Sequence, residues 1–155
     1  MTLVANDPAP DFDLPTDGGG RITLADFKGK ALVLYFYPKD DTTGCTNEAK
    51  GFSEAAKAFA AAGAKVVGVS KDSVKSHDKF KAKYGLDLVL GSDESGAVTE
   101  AYGVWVEKSM YGRTYMGIER ATFLIDREGR IHRVWHKVKV PGHVAEVLEA
   151  VQSLP

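Results

Sequence analysis

The densest apolar stretch of the chain, Ala31-Leu-Val-Leu-Tyr-Phe-Tyr37, has no polar alternation. A run of this kind predicts a strand buried on both faces. Residues 65–70 predict a second buried strand, and residues 88–90 a short third. Between them the period lengthens. Ala49, Phe52, Ala56 and Phe59 recur at helical spacing and predict a helix over 45–62, stopped by Gly63. Further helices are predicted over 74–84, ending at Gly85, and over 93–102, ending at Gly103. Residues 121–126 and 130–136 flank the turn Arg127-Glu-Gly129 and predict an antiparallel strand pair, followed by a closing helix over 143–153. Near the start, residues 12–14 and 21–24 flank Asp17-Gly-Gly-Gly20 and predict a hairpin. Residues 105–117, with aromatics among glycines, follow neither period.

Strands alternating with helices and closed by an antiparallel pair imply an α/β fold. The expected form is a mixed central sheet flanked by helices on both faces, with an N-terminal β-hairpin. By analogy, a thioredoxin-like fold matches this order best. At 155 residues, 44% hydrophobic and 26% charged, a single domain over residues 1–155 with a substantial core is expected.

A formal net charge of -1 gives no electrostatic case for nucleic acid or an acidic membrane. Lys71, Lys75, Lys79, Lys81 and Lys83 alternate with Asp72, Asp78 and Asp87, the pattern of a solvated helix face. Residues 1–8 have neither the basic nor the apolar region of a signal peptide, and no apolar run is long enough to span a bilayer. A single cysteine excludes an intrachain disulfide and a multi-cysteine zinc site. No metal or cofactor is expected, and a reducing, cytoplasmic setting is the default. The glycines at 18–20 lack the Gly-Lys-Ser/Thr and the following helix that a phosphate-binding loop requires.

Cys45 then becomes the chemical focus. The buried run breaks at Pro38, crosses a polar loop, and delivers the thiol where the helical pattern begins. Unpaired N–H groups and the positive end of a helix dipole favour a thiolate there. Core filler would more naturally sit on an apolar face.

Pro38, Thr42 and Cys45 form a Pro-x-x-x-Thr-x-x-Cys pattern within Phe36-Tyr-Pro-Lys-Asp-Asp-Thr-Thr-Gly-Cys-Thr-Asn-Glu-Ala49. This resembles the active-site signature of the peroxiredoxins, in the subgroup called bacterioferritin comigratory proteins or peroxiredoxin Q. The resemblance extends to Pro8-Ala-Pro-Asp-Phe-Asp-Leu14, Arg120-Ala-Thr-Phe-Leu-Ile-Asp126 and Trp135-His-Lys-Val-Lys-Val140. It implies a thiol peroxidase that reduces hydrogen peroxide and organic hydroperoxides through a Cys45 sulfenic acid. It further implies that Arg120 supports the thiolate, Thr42 offers its hydroxyl to the peroxide, Pro38 shields the sulfur, and Glu48 holds Arg120. Taken singly, each has a plainer reading: surface arginine, loop threonine, strand terminator, first-turn acid. A monomer is expected from the resemblance, with a dimer as the alternative.

The chain departs from the subgroup in two places. Lys50 stands where many members carry a resolving cysteine, and Thr43 where proline is common. With no second thiol, the sulfenic acid must be reduced from outside, by glutathione, glutaredoxin, thioredoxin or a small thiol. A Cys–His thiol hydrolase would need His77, His132, His136 or His143 within reach of Cys45. A non-enzymatic binding or holdase module with an inert cysteine would show an exposed apolar patch, and none is obvious in the sequence. His132 and His136, four apart on a strand, could be a metal pair or simply exposed. Trp105 reads as packing, while Tyr111 and Tyr115 could rim a substrate site.

Overall fold

The computed structural model describes residues 2–155. An N-terminal hairpin of β1 (Asp13–Pro15) and β2 (Arg21–Thr23) precedes β3 (Ala31–Phe36), α1 (Thr43–Glu54) and α2 (Ala56–Ala61). Then come β4 (Ala64–Ser70), α3 (Val74–Tyr84), β5 (Val89–Ser92) and α4 (Ala97–Ala101). The chain continues through β6 (Trp105–Met110), β7 (Arg113–Ile118), β8 (Ala121–Ile125), β9 (Ile131–Trp135) and α5 (His143–Gln152).

The main sheet has the order β5-β4-β3-β8-β9. β3, β4 and β5 run parallel, whereas β8 is antiparallel to β3 and β9 to β8. Every residue of β3 is buried, as its unbroken apolar run predicts for a central strand. Its alternate side chains feed two cores. Ala31, Val33, Tyr35 and Tyr37 pack with Phe52 of α1, Phe59 of α2, Phe80 of α3 and Val147 of α5. Leu32, Leu34 and Phe36 face Phe12, Leu14, Val98 and Tyr102. Helices therefore cover the two faces unequally. One face carries most of them, and the other is closed by the N-terminal segment and α4.

The long helix expected over 45–62 is kinked. Ala55, at φ -91° and ψ 2°, separates α1 from α2. In a straight helix Phe52 and Phe59 would be about 10 Å apart along the axis, at 1.5 Å per residue. Their ring centroids are 5.8 Å apart, so both aromatics fill the same core. The helix expected over 93–102 is likewise shorter, beginning only after Gly96.

Residues 105–118 form a two-stranded sheet of their own, joined by Tyr111 (φ 52°) and Gly112 (φ 76°). Left-handed backbone at both turn residues suits a tight hairpin. The hairpin leaves Met110, Tyr111, Tyr115 and Met116 exposed. Trp105 does pack, lying against the core and under the Lys71 ammonium.

Candidate active site

The pairing of β3 with β8 joins residues that are distant in sequence. Phe36 is in register with Ala121, which puts Arg120 level with Tyr37, where β3 gives way to the loop toward Cys45. The Arg120 carbonyl accepts the Val138 N–H at 2.9 Å, fixing its backbone. From there Nη2 donates to Cys45 Sγ at 3.3 Å and Nη1 to Glu48 Oε1 at 2.7 Å. The path runs across Gly44, where a Cβ would lie 3.1 Å from Nη2. Glycine there is what lets the guanidinium approach.

Cys45 is the third residue of α1, which begins two residues earlier than expected, because Thr42 (φ -94°, ψ 158°) is the last extended residue. The Thr42 hydroxyl donates to the Lys39 carbonyl at 2.9 Å and makes no capping bond to the helix. The N–H groups of the first turn are thus left without a side-chain cap, at the positive end of the helix. Cys45 is only 1% exposed, while Pro38 and Thr42 on the approach loop are exposed.

Glu48 is fully buried, and its Oε2 has no hydrogen-bond partner among the described residues. Burial pushes its carboxyl up to about 7, against the opposing pull of Arg120. Burial also works against the Arg120 charge, but Glu48 and Cys45 together hold the guanidinium above its ordinary value. Lys108 on β6 is held below its ordinary value by partial burial and by the charge of Arg120. This second cation lies in the segment that follows neither period, so no sequence pattern marks it.

Of the five residues expected in the site, Cys45, Arg120 and Glu48 are joined by direct hydrogen bonds. Pro38 and Thr42 lie on the loop that leads to them, with no hydrogen bond to Sγ. None of the histidines is bonded to Sγ either, which removes the geometric basis of a Cys–His hydrolase. His143 Nε2 lies 2.8 Å from Thr122 Oγ1, and burial lowers the ring's pKa to about 4. His136 pairs with Glu119 at 2.7 Å rather than with His132. His77, which looked unremarkable in sequence, is buried against Asp40 and Asp72. Lys50 places its ammonium 4.9 Å from the centre of the Tyr84 ring.

Fold and site together define a thioredoxin-fold thiol peroxidase. Residues 5–134 match the AhpC/TSA family. A putative peroxiredoxin bcp of Coxiella burnetii is 55% identical over 148 residues, covering 96% of this chain and 98% of the relative. Peroxiredoxin Bcp of Bacillus subtilis is 48% identical, covering 99% and 98%. Among solved structures, Xylella fastidiosa PrxQ superposes with a TM-score of 0.94 at 41% identity, covering 99% of this chain and 98% of that one. Xanthomonas campestris Peroxiredoxin Q gives 0.88 at 48% identity, covering 92% and 90%. The chain belongs to the AhpC/TSA family, in its bacterioferritin comigratory protein or peroxiredoxin Q branch. It is a thiol-dependent peroxidase.

Proposed function

We propose that Cys45 is the peroxidatic residue and that it works by a one-cysteine cycle. The observation that carries this is the single guanidinium spanning Cys45 Sγ at 3.3 Å and Glu48 at 2.7 Å, beside an uncapped helix start. The thiolate attacks one oxygen of the peroxide in line. An S–O bond forms as the O–O bond breaks, and the departing hydroxide or alkoxide takes a proton to leave as water or alcohol. Arg120 and the first-turn N–H groups face the charge that shifts from sulfur to oxygen. In this reading Glu48 orients Arg120, Thr42 supplies a hydroxyl to the peroxide, and Pro38 limits water at the sulfur. The Xanthomonas campestris bacterioferritin comigratory protein, 48% identical, has alkyl peroxide reduction activity, which supports organic hydroperoxides as substrates beside hydrogen peroxide.

Resolution comes from outside. A first external thiol attacks the sulfenic sulfur, releasing water and leaving a mixed disulfide. A second attacks that disulfide and regenerates Cys45. Glutathione, glutaredoxin or thioredoxin would serve, which fits a cytoplasmic setting. A monomer suffices, since every residue of the site comes from one chain. No helix among the described residues is long and apolar enough to cross a membrane. The test is hydrogen peroxide consumption with excess dithiothreitol, comparing the native chain with Cys45→Ser. Activity in the native chain alone supports the assignment, and equal consumption by both overturns it.

A further inference from the structure

Helix α3 grips the loop between β3 and α1 at two consecutive aspartates. The buried Asp40 carboxylate accepts three side-chain donors. The Tyr37 hydroxyl reaches Oδ1 at 2.5 Å, while the Ser76 hydroxyl and His77 Nδ1 reach Oδ2 at 2.8 and 2.7 Å. Its backbone N–H donates to Asp72 Oδ2 at 2.9 Å, and the Ser70 hydroxyl holds that same oxygen at 2.6 Å. Asp41 follows with φ 59°, left-handed backbone that a non-glycine residue adopts at a cost. Its carboxylate accepts the Tyr84 hydroxyl at 2.5 Å and Lys83 Nζ at 2.8 Å, both from the end of α3.

His77 lies at the centre of this grip, with its side chain fully buried. Its Nε2 is 2.9 Å from the Gly91 carbonyl of β5, which can only accept, so Nε2 carries a proton. Its Nδ1 faces a carboxylate oxygen, another acceptor, so both nitrogens donate and the ring is an imidazolium. The groups that face it are Asp40 from the loop, Tyr37 from β3, Asp72 from the turn after β4, and the Gly91 carbonyl from β5. Burial opposes the charge, but the bond to Asp40 prevails and holds the ring's pKa above its ordinary 6.5.

We infer that His77 is a positioning residue for peroxide reduction, fixing through Asp40 the loop that carries Pro38 and Thr42 while touching neither substrate nor sulfur. This rests on the reading of Cys45 as the peroxidatic residue. The physical link is short. Asp40 stands two residues from Pro38 and two from Thr42, the last residue before α1, so any shift of Asp40 moves both sides of the peroxide approach. A displacement of roughly 1 Å at such a site costs on the order of 100-fold in rate.

The test compares wild type, His77→Gln and Ser76→Ala by two reactions of the same thiol. One is oxidation of Cys45 by hydrogen peroxide, which needs the loop. The other is alkylation by iodoacetamide, which needs only the thiol. His77→Gln is expected to lose roughly 10- to 100-fold in the peroxide rate, with alkylation within about twofold of wild type. Ser76→Ala, which deletes one donor to Asp40 and leaves the ring in place, is expected to show a smaller loss of the same kind. The wild-type peroxide rate should also decline on the alkaline side, as pH climbs past the raised pKa and the imidazolium is lost. The His77→Gln profile should lack that decline. Unchanged peroxide rates in both folded variants would overturn the inference, as would equal losses in both reactions. A wild-type chain that consumes no peroxide would instead overturn the assignment of Cys45.

Discussion

Replacing Arg120 by methionine removes two interactions at once, and their costs can be separated. The first is the charged hydrogen bond to Cys45 Sγ. Losing a donor aimed at developing charge typically costs about 10²- to 10³-fold in rate. At 3.3 Å this bond is not compressed, so the lower end, about 100-fold, is expected. The second is the pairing with buried Glu48. Breaking a buried pair typically costs about 3–5 kcal/mol. Here the orphaned carboxyl already sits at about 7 and escapes most of that by taking up a proton. A loss of roughly 1–3 kcal/mol, the range for an unsatisfied buried polar group, is therefore expected at neutral pH. Adding Glu48→Leu should restore much of this stability, because no buried polar group is then left without a partner. It should not restore the rate. The assays are stopped-flow oxidation of Cys45 by hydrogen peroxide and urea unfolding, on both single variants and the double. A double variant that recovers rate together with stability would refute the reasoning, since Arg120 would then act only by holding the fold.

Three further outcomes follow from the geometry. Gly44→Ala places a methyl group 3.1 Å from Arg120 Nη2, so peroxide reduction should slow by about tenfold or more even though alanine favours the helix by up to ~1 kcal/mol; retained activity in stopped-flow assays would mean that the guanidinium is not needed there. Glu48 has a folded pKa of about 7 against 4.5 unfolded, so its protonated form stabilises the fold below pH 4.5, and roughly 3 kcal/mol is lost as pH rises through 7. His143, at about 4 against 6.5, has the opposite sign: its contribution is complete above pH 6.5 and lost as pH falls toward 4. Urea titrations should therefore find wild-type stability nearly flat between pH 4.5 and 6.5, with a rise across that window uncovered in Glu48→Gln. Lys50→Cys should lose both thiols after one peroxide turnover. Positions 45 and 50 of a helix are about 7.5 Å apart along its axis, beyond ordinary disulfide reach, so the bridge requires α1 to unwind and should lower its circular-dichroism signal.

Legibility in the sequence followed burial. β3, β4 and β8 are buried over most or all of their length, and their apolar runs marked them at once. The β6–β7 hairpin stands apart from the main sheet with most of its side chains exposed, so neither an apolar run nor a strict alternation was present. The kink at Ala55 was equally silent, since helical periodicity persists on both sides of it. In the site, Cys45, Arg120 and Glu48 were legible through the resemblance of their motifs. Nothing local revealed that antiparallel pairing of β3 with β8 would bring Arg120 level with Tyr37. His77 and Asp40 were invisible as a pair because they are 37 residues apart and meet only through the packing of α3.

The central claim is that Cys45 begins a peroxidase cycle which the chain alone cannot complete. Intact-mass spectrometry after one equivalent of hydrogen peroxide, with no thiol present, tests it directly. A gain of one oxygen atom on Cys45 is expected, trapped when dimedone is present and, without dimedone, reversed when an external thiol is added. An unchanged mass, or oxygen appearing on another residue while Cys45 stays reduced, would contradict it.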